Sequence, residues 1–204
     1  MAEQELRTGA DGIDRCWWCG DDPQYVAYHD HEWGRRVTND TRLFEKLCLE
    51  GFQSGLSWLT ILRKRDNFRR AFDDFDMVAI AAYGVPEIER LLGDAGIVRH
   101  RGKIESTINN ARRAIELTEA EGSIAAYVAR YAGPGDGCAV SADAGAAPIP
   151  ATSAEAIALS KDLKRRGWSY VGPTTMYAFM QAMGLVNDHL DGCWVRDACA
   201  ATAG

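Results

Sequence analysis

Apolar side chains recur every three to four positions along most of the chain, and period-two alternation is almost absent. This spacing predicts amphipathic helices rather than strands. One helix, capped by Asp40, presents three positions on one face: Leu43, Leu47 and Glu50. Further helices are predicted to begin at Ser57, at Pro86, near 101, at 123, at 153 and near 174. We therefore predict an all-α fold.

Other segments lack helical periodicity. The polar stretch 1–13 has no apolar core of a signal peptide, and we predict a disordered N-terminal tail there. The stretch 133–152 is rich in Gly, Ala and Pro, which predicts a loop. Residues 14–194 are expected to form one helical domain, followed by a C-terminal tail over 195–204. No apolar run approaches the ~20 residues that span a bilayer, so no membrane contact is expected.

Charge and cysteine content narrow the function classes. The 204 residues carry a net charge of −6, which argues against a protein that coats nucleic acid without specificity. Basic clusters at 63–70, 99–103 and 161–166 still permit local phosphate contacts. Six cysteines without a secretory signal favour reduced thiols or a metal over a disulfide framework. We expect a monomeric protein of the cytoplasm.

The two ends of the chain carry candidate metal ligands. His189 and Cys193 lie four positions apart, which would place them one turn apart on a helix. With Cys16 and His29 they supply two sulfur and two nitrogen donors, the set of a closed tetrahedral zinc site. Such a site would join the termini and leave no open position for catalysis.

Spacing leaves this ligand set open. Cys19 forms a Cys-x-x-Cys pair with Cys16, and His31 lies two residues after His29. Buried cysteines and surface histidines that bind no metal would produce the same pattern.

A glycine-containing turn is predicted between two helices at Gly93 to Val98. Backbone N–H groups at the start of the second helix would attract an anion, and Arg99, Arg101 and Lys103 follow directly. The pattern resembles a helix-hairpin-helix, which grips a DNA phosphate without reading sequence. An ordinary helix–helix turn would contain the same glycines.

Five of the chain's Trp and Tyr residues lie between positions 17 and 33. They are Trp17, Trp18, Tyr25, Tyr28 and Trp33. Because the span also contains Asp, Pro and Gly, we predict a loop rather than a core helix. Aromatic side chains on such a loop could line a pocket for a planar, cationic ligand.

Glu50 lies on the apolar face of its predicted helix, where a carboxylate is either at the rim or buried for a purpose. Gly55 and Leu56 follow, and a leucine at a glycine-hinged turn can act as a wedge between base pairs. A place in the core is the alternative for Leu56.

Several short runs occur in a specific order and spacing. They include Tyr28-His29-Asp30, Glu32-Trp33-Gly34, Leu49-Glu50-Gly51, Gly55-Leu56-Ser57-Trp58, Ala95 to Ile104 and Gly184 to His189. From about Asp14 to Cys193 the sequence resembles the DNA-3-methyladenine glycosylase I family. Trp17 and Cys19 depart from the family pattern, and the segments 133–152 and 194–204 have no pattern that we can place.

The resemblance implies a helix-hairpin-helix glycosylase fold and roles for particular residues. Structural zinc is assigned to Cys16, His29, His189 and Cys193, the base-recognising carboxylate to Glu50, and the pocket aromatics to Trp18, Tyr28, Trp33 and Trp58. The duplex-filling plug is assigned to Gly55-Leu56, and the phosphate-binding turn to the hairpin with Gly93 and Gly96.

The resemblance also implies a reaction. The expected enzyme binds double-stranded alkylated DNA, flips the damaged nucleotide out and releases free 3-methyladenine. No lysine is placed for a Schiff base, so we expect hydrolysis without strand cleavage, and no residue is named as the base that activates water. The competing hypotheses are a catalytically inert, zinc-stapled module that binds DNA damage, and a helical protein-interaction scaffold.

Overall fold

The structure is a computed structural model that describes residues 5–132 and 149–201, together with the backbone of Ala139–Val140. Ten helices are present in this part of the chain. They are α1 (Pro23–His31), α2 (Asp40–Gln53), α3 (Trp58–Ala71), α4 (Met77–Ala81), α5 (Val85–Gly93), α6 (Arg101–Glu121), α7 (Ile124–Ala129), α8 (Ala154–Arg165), α9 (Pro173–Ala182) and α10 (Arg196–Ala201). Short 3-10 turns lie at Trp17–Cys19 and Asp73–Phe75. The predicted predominance of helix is confirmed.

Four short strands, which were not predicted, accompany the helices. Strand β1 (Leu6–Thr8) pairs antiparallel with β2 (Asp14–Cys16), so the predicted disordered tail is wrong for this part of 1–13. Strand β3 (Ala139–Val140) pairs in parallel with β4 (Val186–Asn187), within the segment predicted as a loop. Positions 1–4, 133–138 and 141–148 lie outside the described residues. Strands of two or three residues are too short to produce a visible alternation in the sequence.

The C-terminal segment is also more ordered than predicted. Helix α10 begins at Arg196, and the side chains of Val195 and Cys199 are buried. The backbone oxygen of Arg196 accepts a hydrogen bond from Asn187 Nδ2 at 2.9 Å. The predicted tail over 195–204 is therefore wrong as far as residue 201.

Hydroxyl or carboxamide side chains cap four of the helices. Ser57 and Ser153 cap α3 and α8, as predicted, and Ser123 caps α7, the short helix that was predicted to begin there. Helix α2 differs by one residue, because Asn39 Oδ1 accepts from the N–H of Arg42. The carboxylate of Asp40 instead accepts the backbone N–H of Ala125, so it links the start of α2 to α7.

The aromatic span from 17 to 33 was predicted as a loop, and the structure corrects this. Asp22 caps helix α1 by accepting the N–H groups of Gln24 and Tyr25, and Pro23 occupies the first helical position. The Asp-Pro pair is therefore a helix start and not a turn. Helix α1 presents Tyr28 and His29 on adjacent faces, both of them buried.

Helix α2 lies at the centre of the core. Every residue from Leu43 to Phe52 is buried, and α3, α6, α7 and α9 pack around the helix. Three charged side chains lie within this stretch: Glu45, Lys46 and Glu50. Because burying a charge costs free energy unless it is paired, each of them requires a partner. Among the helices of the described residues, none is long and apolar enough to cross a membrane.

Candidate active site and metal centre

Four buried side chains from three parts of the chain converge near the termini. Cys16 ends β2, His29 lies on α1, and His189 and Cys193 lie in the loop between β4 and α10. The ligand atoms lie within 4.8 Å of one another. Cys193 Sγ is 3.5 Å from His29 Nε2 and 3.6 Å from His189 Nδ1. A tetrahedral zinc with its usual bond lengths has S···N edges of about 3.5 Å, so the spacing fits this ion.

The second nitrogen of each histidine is held by an acceptor. His29 Nδ1 lies 2.8 Å from Asp30 Oδ1, and His189 Nε2 lies 3.1 Å from the backbone oxygen of Trp33. These contacts leave Nε2 of His29 and Nδ1 of His189 free to bind a metal. Acceptors of this kind orient histidine ligands in metal sites.

The carboxylate of Asp30 is itself fixed. It accepts hydrogen bonds from Arg15 Nε at 3.0 Å and from Trp194 Nε1 at 3.1 Å. Burial opposes ionisation of Asp30, yet the hydrogen bonds from Arg15, His29 and Trp194 outweigh it and lower its pKa. The acceptor of His29 is thus kept as a carboxylate.

The two competing candidate ligands lie outside this cluster. Cys19 Sγ donates to the backbone oxygen of Cys16 at 3.2 Å and is not among the clustered ligand atoms. His31 is exposed, one residue before the end cap of α1. The cluster consists of Cys16, His29, His189 and Cys193, in agreement with the predicted set.

An aromatic cavity of about 290 Å³ lies beside this Cys/His cluster. Its lining consists of Trp17, Trp18, Tyr25, Tyr28, Trp33, Glu50, Gln53, Trp58, Ile149, Ala178 and Gln181. All four predicted pocket aromatics are present, together with the predicted carboxylate. The cavity is large enough for a purine base and contains, among the described lining residues, one acidic group.

The cavity and the Cys/His cluster share a wall. The ring of Trp18 lies 4.9 Å from that of Trp33 and 5.2 Å from that of His29, both edge-on. The ring of Trp33 lies 4.6 Å from that of His189. Contacts that hold His29 and His189 in place therefore also hold the indole rings of Trp18 and Trp33 in place.

Lys46 also belongs to this site, although the sequence pattern did not predict it. Its Nζ lies 2.7 Å from Glu50 Oε1, donates to Tyr28 Oη at 2.9 Å and lies 3.1 Å from the ring centroid of Trp58. Burial lowers the pKa of Lys46 to about 8, although the Glu50 carboxylate opposes this shift. Burial, followed by the charge of Glu50, raises the pKa of Tyr28 well above 10, so its phenol stays protonated. The visible signal was a Lys–Glu pair four positions apart on a helix.

The predicted plug lies where α2 ends. Gly55 has φ +81°, a conformation that favours glycine, and Leu56 is 42% exposed. Lys103 Nζ donates to the backbone oxygens of Phe52 at 2.8 Å and of Ser54 at 2.6 Å. Lys103 was predicted to contact DNA. This is corrected, because its buried ammonium group fixes the plug turn instead.

The predicted hairpin turn follows α5, which ends at Gly93. Asp94 Oδ1 accepts the N–H of Gly96 at 2.7 Å, and the backbone oxygen of Gly96 accepts from Asn67 Nδ2 at 3.3 Å. A Cβ atom at Gly96 would lie 2.9 Å from Asp94 Oδ1 and 3.1 Å from Asn67 Cγ, so these two side chains would have to shift to admit a larger residue. No acceptor is recorded among the described residues for the N–H groups of Val98 and Arg99.

The two predicted arginines differ in their surroundings. Arg101 pairs with Glu89 at 2.7 Å, whereas exposed Arg99 has no ion pair with any described residue. Arg99 is therefore unpaired within the described part of the chain, whereas Arg101 would exchange an exposed and hence weak ion pair for any phosphate contact.

Comparisons with known proteins agree with this geometry. Residues 18–197 match the model of the methyladenine glycosylase family. The chain is 46% identical over 181 residues to DNA-3-methyladenine glycosylase 1 of Escherichia coli, covering 89% of this chain and 96% of that protein. It is 39% identical over 179 residues to DNA-3-methyladenine glycosylase of Haemophilus influenzae, covering 88% and 96%.

Solved structures give the same result. The chain superimposes with a TM-score of 0.82 on a Tyr-to-Phe variant of 3-methyladenine DNA glycosylase I in complex with 3-methyladenine, at 34% identity over 89% of this chain and 97% of that one. A crystal structure of 3-methyladenine DNA glycosylase I matches with a TM-score of 0.80 at 47% identity, covering 88% and 98%.

Proposed function

The chain belongs to the methyladenine glycosylase family, and we propose that it hydrolyses the N-glycosidic bond of alkylated DNA to release 3-methyladenine in base-excision repair. The observation that carries the proposal is a single carboxylate, Glu50, in an aromatic cavity large enough for one base. A base stacked in a duplex must be flipped out to enter such a cavity.

The substrate supplies much of its own reactivity. Methylation at N3 makes adenine cationic, so the base leaves more readily and needs little acid catalysis. The enzyme's task is to select and orient the base. Aromatic faces stack on a flat base, and the surrounding indoles and phenols supply them.

We propose that Glu50 recognises the base through its carboxylate. No hydrogen bond to its Oε2 atom is recorded among the described residues, whereas Oε1 is paired with Lys46. An acceptor oxygen in this cavity suits the exocyclic amino group of adenine. The indole N–H of Trp58 also lacks an acceptor in the described part of the chain, which leaves a donor for a ring nitrogen.

We propose that the four-ligand cluster binds one structural zinc ion. The donor set, the S···N spacing and the acceptors behind both histidines support this assignment. With four protein ligands no position is open to substrate, so the ion would hold β2, α1 and the C-terminal loop together. For function, the ion would hold the wall of the base cavity formed by Trp18 and Trp33 in place.

We propose that the hairpin turn grips a DNA phosphate. Replacing Gly96 with proline removes its N–H and disturbs the turn, so binding to undamaged and damaged duplexes should fall by a similar factor, roughly tenfold. Fluorescence anisotropy at low salt measures this loss. Gly84→Ala, outside the turn, is the control, because a Cβ atom there would make only ordinary contacts at 3.7 Å. Full duplex affinity in Gly96→Pro would remove the turn from the DNA-binding surface.

We propose a monofunctional, monomeric enzyme that cleaves no DNA strand. The one lysine beside Glu50, Lys46, is buried and engaged by Glu50, Tyr28 and Trp58, so its amine is not presented to the sugar. Borohydride added during turnover should therefore trap no protein–DNA adduct. A trapped adduct that disappears in Lys46→Met would establish lyase chemistry instead.

The direct test is the release of free base. Purified protein incubated with DNA carrying 3-methyladenine and 7-methylguanine should release 3-methyladenine and leave the strand intact. Tight binding without base release would favour a damage-binding module. The absence of salt-sensitive DNA binding would favour a protein-interaction scaffold.

A further inference from the structure

Lys46 lies behind the aromatic wall of the base cavity. Tyr28 and Trp58 line both the base cavity and a second, much smaller cavity of about 20 Å³, whereas Lys46 lines only the smaller one. The lysine is 6% exposed and lies one helical turn before Glu50 on α2. Its ammonium group reaches past the two rings to Glu50 Oε1, 2.7 Å away.

The neighbouring charges are already paired with one another. Glu32 pairs with Arg65 at 2.6 Å, and Glu45 pairs with Arg69 at 2.9 Å. Glu50 is the one charged residue among the described lining of the base cavity, and Lys46 balances it. The immediate surroundings of a bound base therefore carry no net charge.

We propose that Lys46 is a positioning residue that sets the charge selectivity of the base cavity: it holds Glu50 by Oε1 and neutralises it, so that the cavity selects the outline of the base more than its positive charge. This inference rests on the proposed role of Glu50 in base binding. Neutralisation matters because the lesion in DNA is a cation, whereas the free base can be neutral.

Removing Lys46 should make the cavity prefer a cationic base over a neutral one. Without Lys46 the buried carboxylate has no cationic partner in the cavity wall, and a cationic base would supply one. In a medium of intermediate dielectric constant, one unit charge a few ångströms away changes the affinity for a cation by at least about tenfold.

The test compares two ligands of the same outline and different charge. The cation is 3,9-dimethyladeninium, in which the N9 methyl group stands for the bond to the sugar. The neutral partner is 3,9-dimethyl-3-deazaadenine, in which carbon replaces N3. Calorimetry with each compound gives a ratio of affinities, and a uniform loss of structure does not shift this ratio in favour of either compound.

We expect wild-type protein to bind the two compounds within a few-fold of each other, and Lys46→Met to favour the cation at least about tenfold more than wild type does. Lys161→Met, at an exposed position on α8, is the matched control and should leave the ratio unchanged. An unchanged ratio in Lys46→Met overturns the inference.

A second comparison decides the question if Lys46→Met does not fold. Lys46→Arg keeps a cation that burial does not deprotonate and should leave the ratio near the wild-type value, whereas Lys46→Gln keeps a donor for Glu50 Oε1 without the charge and should shift the ratio toward the cation at least about tenfold. Equal ratios in these two variants mean that the charge of Lys46 has no influence. If neither compound binds wild-type protein, the assignment of the base cavity is wrong, and the inference falls with it.

Discussion

Glu50→Gln is expected to weaken the binding of free 3-methyladenine at least about tenfold, with the metal content unchanged. The substitution keeps the shape but removes the charge and presents an amide N–H₂ group where the base requires an acceptor. Hydrogen bonds to a charged group contribute ~1.5–3 kcal/mol, and ~1.4 kcal/mol corresponds to tenfold. Excision of 3-methyladenine should fall as well, whereas binding to undamaged duplex should barely change. Calorimetry with the free base measures the effect.

Glu45→Gln is the matched control. Glu45 lies on the same helix, is equally buried and is also paired with cations, Arg42 and Arg69, but it does not line the base cavity. Both variants remove one buried carboxylate, so both lose stability, and only Glu50→Gln should lose the ligand. Wild-type affinity in Glu50→Gln would mean that stacking on Trp18, Tyr28 and Trp33 recognises the base without the carboxylate.

The position of Glu50 was predictable because a local rule and the family resemblance agreed. The apolar spacing of α2 placed position 50 on the face of Leu43 and Leu47, and the resemblance supplied a reason for a carboxylate there. The helix starts at Ser57, Ser123 and Ser153 were also predictable from local sequence, because a hydroxyl side chain caps the N–H groups two or three residues ahead.

The role of Lys46 was not predictable, because it depends on contacts between helices. A lysine between Glu45 and Leu47 is consistent with a helix exposed on one side, and the sequence does not reveal that all sides of α2 are covered. Tyr28 comes from α1 and Trp58 from α3, so the lysine's surroundings exist only after three helices have packed. Lys103 was misassigned for the same reason: its partners at Phe52 and Ser54 are 51 and 49 positions away.

The ligand set of the metal site shows where the resemblance added to the spacing. Cys16 and Cys19 are indistinguishable as sequence positions in a Cys-x-x-Cys pair. The 3-10 turn at Trp17–Cys19 directs Cys19 Sγ toward the backbone oxygen of Cys16, while Cys16 faces His189 at 3.6 Å. Which of the two cysteines faces the cluster depends on one turn of backbone, and neither the composition of the sequence nor its hydrophobic periodicity predicts this.

Cys193→Ser is expected to abolish stoichiometric zinc binding and to lower the melting temperature. Cys193 Sγ contacts both histidines of the cluster, and a hydroxyl group is a much weaker ligand than a thiolate. Zinc supplies ~10 kcal/mol or more to small zinc-dependent peptides, but this chain also has a large apolar core. A loss on the order of 3 kcal/mol would lower the melting temperature by roughly 6–12 °C.

Cys19→Ser is the control, because Cys19 lies beside the cluster but does not contribute a ligand atom. It should keep one zinc per chain, as measured by elemental analysis, while Cys16→Ser should lose it. The reverse outcome would show that the ligand assignment is wrong. The proposed ion would have all four positions filled by protein. Base release by the Cys193→Ser fraction that stays folded should therefore decline only as far as Trp18 and Trp33 move. A complete loss of base release in folded, metal-free protein would instead place the metal in the chemistry of bond cleavage.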